Sequence, residues 1–173
     1  MLEAMIVLVI GGLVMAAISS VITAVVRSQR TQELAQQRRS DWSRFTSFLS
    51  HEVGEGSAVS VTPPASNPCA TSMDSFLFSI AVPIATNTGA PVDRQVHYYT
   101  TGTGTNTTVF RCGPGIETSG RLQSAGTTTA RLIAGIPLAA AVDANNVIVT
   151  LTPSISGANI GPFAVRTRSI AMD

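Results

Sequence analysis

The chain contains no lysine: all eleven basic residues among its 173 are arginines, a bias that genome composition explains as readily as function. Charge of either sign is scarce. Only 12% of residues are charged and the net charge is +1, which excludes a broad polyanion-binding surface and an acidic tail. Histidine occurs twice, at His51 and His97. With no HExxH spacing and no convincing Ser/His/Asp order, neither a zinc hydrolase nor a nucleophilic triad is indicated. His51 reads as a cationic side chain near a helix C-terminus, and His97 as a residue on a strand face. The two cysteines, Cys69 and Cys112, fit neither a CxxC redox motif nor a cysteine-rich zinc site. If the C-terminal part is exported, one disulfide is the natural reading, worth about 4 kcal/mol for a loop of that length in the chain-entropy model. The "TGTGTN" segment has two glycines but lies between strand-like stretches rather than before a helix, so it is not a phosphate loop. No enzymatic activity, cofactor, metal or small-molecule substrate is expected.

Helix breakers are also missing where they matter. Neither Pro nor Gly occurs between Gly12 and Gly54. Residues 4–26 form a run of 23 uncharged, mostly apolar residues, long enough to cross a bilayer at about 20 residues for roughly 30 Å. A basic n-region ahead of it is lacking, so the run reads as a retained helix rather than a signal peptide. From Arg27 the chain turns polar, with good helix formers over 28–40. Trp42, Phe45, Phe48, Leu49 and Val53 then recur at spacings of three and four, the apolar stripe of an amphipathic helix. "GEG" at 54–56 is a stop signal. The reading is a single helix of about 50 residues, some 75–80 Å long at 1.5 Å per residue. It divides into an apolar segment (1–26) and an amphipathic continuation (27–55).

The remainder, 56–173, reads as strands: "SAVSV" (57–61), "FLFSIAV" (76–82), "QVHYYT" (95–100), "TTVFRC" (107–112), "NVIVTLT" (146–152) and "FAVRTRSIA" (163–171). In the last, Phe163 and Val165 share one face, and Arg166 and Arg168 the other. Residues 113–145, rich in Gly, Thr and Ala, resist assignment. The fold class is therefore α+β, with a small, mainly antiparallel sheet packed on the Trp42–Val53 stripe.

"MLEAMIVLVIGG" at the start, an apolar helix continuing into an amphipathic one, and a small sheet domain resemble the type IV pilin-like proteins. "RFTSFLSHEV", "VHYYTTGTGTNTTVFRCGPG" and the late "VIVTLT…FAVRTRS" are similar to minor pilins of the PilW type and type II secretion pseudopilins of the J type. The resemblance implies a pilin fold and a structural subunit that assembles with other pilin or pseudopilin subunits through its N-terminal helix. It further implies storage in the inner membrane with an extracytoplasmic head, then entry into a filament. The family pattern places a short stretch ahead of Met1. The alternatives are a major pilin, or a bitopic membrane protein with a small extracytoplasmic binding domain. The positive-inside rule, counting Arg27, Arg30, Arg38 and Arg39, would place the head in the cytoplasm. Cys69, Cys112 and the Thr-rich strands suit export instead.

Glu3 takes the place of the family's glutamate, and the resemblance implies that Met1, Leu2 and Glu3 act in subunit assembly, the carboxylate meeting a neighbour's α-amino group. The plainer alternative is a helix N-terminal charge favoured by the macrodipole by about 0.3–1 kcal/mol. Gly11 and Gly12 each cost roughly 1 kcal/mol against Ala in a helix. Close packing of small residues and a segment that loosens on assembly are both open for them. Tyr98, Tyr99, Arg94 and Arg111 offer aromatic and basic groups for single-stranded DNA, but a net charge near zero argues against nucleic acid as a partner.

Overall fold

A computed structural model describes residues 2–65, 69, 75–84, 91–118, 122–123, 126–154 and 160–168, the side chains of 2–10 excepted. The chain forms two compact units, Met1–Gln37 and Arg38–Asp173. One helix, α1, runs unbroken over Leu2–Glu55, 54 residues. This agrees with the absence of breakers after Gly12. Within the apolar part, Ser19, Ser20 and Thr23 turn their hydroxyls back onto the carbonyls of Met15, Ala17 and Ser19 at 2.8–2.9 Å. Those polar groups are thus satisfied inside the helix and impose no cost on an apolar surrounding.

The first unit is this helix alone. In the second, the last turns of α1 pack on β-structure, and the molecule is α+β as its residue pattern implies. The strands are β1 (Ala58–Ser60), β2 (Ser75–Ile84), β3 (Val92–Thr101), β4 (Thr108–Gly113), β5 (Thr128–Ala134), β6 (Leu138–Val142), β7 (Ile148–Pro153) and β8 (Phe163–Arg166). They form not one sheet but two, a five-stranded β1-β2-β3-β4-β5 and a three-stranded β6-β7-β8. Every named pairing is antiparallel. β5 and β6 fall in the stretch that resists assignment from sequence. The sheets are joined where the Val59 amide donates to the Asn146 carbonyl at 2.9 Å, which occupies the outer edge of β1. The expected strand 163–171 is regular only to Arg166, and its last three residues lie outside the described part.

Phe45, Leu49 and Val53 of α1 are buried against Phe78, Ile80 and Val82 of β2, Val96 and Tyr98 of β3, Val109 of β4 and Val149 and Leu151 of β7. One helix face therefore holds both sheets. Gly56 permits the close approach at the helix end, since a Cβ there would lie 2.4 Å from Ile80 Cγ2. Gly102, at φ +80°, turns the chain from β3 toward β4 through a 3-10 turn at Gly104–Asn106. A side chain there would be strained in that conformation and would meet the Asn106 carbonyl at 2.6 Å.

Candidate assembly surface and the clamp on the head

Among the described residues, no side chain of 11–26 joins the core. Leu13, Val14, Met15, Ile18, Val21, Ile22, Val25 and Val26 are all exposed, Met15 to 70% and Leu13 to 67%. Full burial of one such side chain gains about 1.5–3 kcal/mol, and since each is about half exposed the set carries an unmet gain on the order of 10 kcal/mol. Of the described residues, this helix is long and apolar enough to cross a membrane, and none of its apolar stretch is buried within the chain. Gly11 and Gly12 sit in it with regular helical backbone, and a Cβ on either would meet nothing within 4 Å. Met1 and the side chains of Leu2 and Glu3 lie outside the described residues, and so does the expected meeting of Glu3 with an amine.

The stripe of the amphipathic half divides by depth. Phe45, Leu49 and Val53 are fully buried, Trp42 packs partly buried against them with its ring 5.7 Å from Phe45, and Phe48 stays half-exposed. Phe48 lines a shallow groove of about 220 Å³ with Asp41, Arg44, Phe45 and Leu132.

Beside that stripe lies a group that sequence pattern alone does not expose. Glu52 is 6% exposed and faces Arg111, 2% exposed, and Tyr98, which is sealed from solvent. The β3–β4 register sets Tyr98 directly opposite Arg111. The Arg111 guanidinium donates from Nη2 to Glu52 Oε1 at 2.6 Å and from Nε to Oε1 and Oε2 at 2.8 and 3.1 Å, while Nη1 donates to the Pro114 carbonyl at 2.8 Å. The Tyr98 hydroxyl donates to Glu52 Oε2. Burial, and then the Glu52 charge, push the Tyr98 hydroxyl well above its ordinary pKa, so it remains a donor. One carboxylate thus ties α1 to β3 and β4, with Arg111 itself holding the turn after β4. Its value depends on all partners being present, because an isolated buried charge costs several kcal/mol. Tyr98 and Arg111 are held in this clamp and Tyr99 is buried in its own right, so none of the three is available to stack on or pair with bases.

The opposite face of β3–β4 is closed by the Cys69–Cys112 disulfide, Cα atoms 6.2 Å apart. Its cysteines cluster with Tyr99 and Phe110, whose rings stack at 5.6 Å. Covered on both sides, β3 is buried continuously from Val96 to Thr100. His97 sits on this outer face, 6% exposed, its ring 6.2 Å from Phe76 and its Nδ1 without a hydrogen-bond partner among the described residues. Burial holds its pKa below the ordinary value. His51 instead lies exposed at the end of α1, lining an open cleft of about 440 Å³ with Glu55, Arg166 and Arg168.

The chain matches no protein-family model, no curated protein and no solved structure.

Proposed function

We propose that this chain is a structural subunit of a type IV pilus-like filament, a minor pilin or pseudopilin, which the inner membrane holds through α1 before assembly. One observation carries the reading. An apolar helical segment with no partner among the described residues continues without a break into a helix whose end is clamped in a folded head. In water that segment is untenable. Lipid covers it in the stored subunit, and neighbouring helices cover it in a filament. The disulfide supports an exported head, since such bonds persist in oxidising compartments. In this reading Glu3 meets a neighbour's α-amino group once the helices leave the lipid.

The test is shearing of surface filaments from cells expressing the tagged chain. Recovery of the chain as a sparse component of the sheared fraction, lost on Glu3→Ala, is the expected result. Recovery as the bulk component makes it a major pilin. A chain that stays entirely in the membrane pellet, with or without Glu3, is a bitopic protein with an extracytoplasmic domain, and the filament reading then falls.

A further inference from the structure

We propose that Arg27 and Arg30 form a binding site for the phosphate of an anionic phospholipid, on the leaflet that faces the head. The inference rests on residues 4–26 being the membrane-embedded segment. The hydrocarbon core of a bilayer is about 30 Å thick and the whole bilayer about 40–45 Å, which leaves a headgroup layer of roughly 5–8 Å on each side. At 1.5 Å per residue, Arg27 lies about 1.5 Å and Arg30 about 6 Å beyond Val26, inside that layer, whereas Arg38 lies about 18 Å beyond it. The first two arginines therefore meet phosphates and the later ones meet water.

Spacing and chemistry agree. Residues three apart share a helix face, with Cβ atoms about 5–6 Å apart, so two guanidinium forks converge on one phosphodiester. Guanidinium binds such oxygens two at a time, which an ammonium cannot do. Both side chains are exposed, and among the described residues neither makes an ion pair or hydrogen bond. Glu33, one turn further on, is exposed and pairs with neither. The Thr31 hydroxyl is spent on the Arg27 and Ser28 carbonyls at 3.1 and 2.8 Å. Among the described residues nothing holds either fork.

The test places the full chain in nanodiscs of equal parts phosphatidylcholine and phosphatidylglycerol and weighs the lipids that stay bound, by native mass spectrometry. A basic residue near an anionic surface favours anionic lipid about five-fold, so the ratio of bound phosphatidylglycerol to bound phosphatidylcholine should rise about five- to twenty-five-fold above the bulk ratio. Arg27→Gln/Arg30→Gln should return the ratio to bulk, while Arg38→Gln/Arg39→Gln should leave the enrichment in place. Bulk-ratio lipid on the unaltered chain, or enrichment that survives loss of Arg27 and Arg30, overturns the proposal. So does equal loss in the Arg38/Arg39 variant. Insertion is checked separately by resistance to carbonate extraction. A chain that inserts without enrichment refutes the lipid site alone, and one that never inserts refutes the membrane reading as well.

Discussion

Glu52 and His97 are both buried and ionisable, yet they answer to opposite rules. Glu52 is fully paired, so removing one partner is worse than removing both. Glu52→Leu strands the Arg111 guanidinium and should cost about 3–5 kcal/mol, whereas Glu52→Leu with Arg111→Met should recover most of that loss. Urea unfolding of the detergent-solubilised chain, followed by Trp42 fluorescence, measures both; an additive double variant would refute the clamp. Among the described residues His97 has no partner for Nδ1, and burial disfavours its charged ring. Its folded pKa lies below the unfolded value of about 6.5, so the unfolded chain binds the extra proton first. Stability is then complete above that pH and declines as pH falls through about 6.5 toward the lowered folded value. Unfolding midpoints taken from pH 7.5 down to 5.5 should fall for the unaltered chain and stay nearly level for His97→Gln. Equal slopes would show that His97 is not the titrating group.

At the level of elements, α1 is one helix by hydrogen bonding but three by environment. Leu34 is 54% exposed and Leu49 fully buried, so Leu49→Ala should cost about 2–5 kcal/mol and Leu34→Ala less than about 0.5 kcal/mol. The polar stretch 28–40 has little tertiary support, and isolated helices of that length are marginal in water. Its amides should exchange far faster than those of 45–53. A uniform exchange rate along α1 would contradict this division. The same contrast explains what could be read in advance. Phe45, Leu49 and Val53 announce their face because helical period is a local property of the chain. The Glu52–Arg111 contact spans 59 positions, and no local period encodes such a pairing. β5, "TTARLIA", and β6, "LAAAV", lack the bulky alternation that marks a half-buried strand, so only their neighbours make them strands. The division into two sheets was hidden for the same reason, since it depends on the Val59–Asn146 bond and not on any strand's own residues.

For the whole molecule, the distribution of burial separates what folds the chain from what places it. The head draws its core from Phe45 onward, both sheets and the disulfide-closed outer face, and no side chain of 11–26 contributes to it. Placement belongs to the apolar helix, whose exposed side chains gain on the order of 10 kcal/mol only when something outside the chain covers them. Removing residues 2–26 should therefore separate the two properties. The shortened chain should stay in the supernatant as a monomer, keep the near-UV circular dichroism of the intact protein, and unfold at an unchanged midpoint. The intact chain should sediment with membranes. Ser19, Ser20 and Thr23 do not alter this expectation, because their hydroxyls are bonded within the helix and add no demand for water. Reduction of Cys69–Cys112 in the shortened chain provides the contrast: it should lower stability by about 4 kcal/mol, since it opens a loop that helps form the head itself. If the deletion instead lowered the midpoint as reduction does, the apolar helix would be part of the fold, and its need for an external partner would no longer follow.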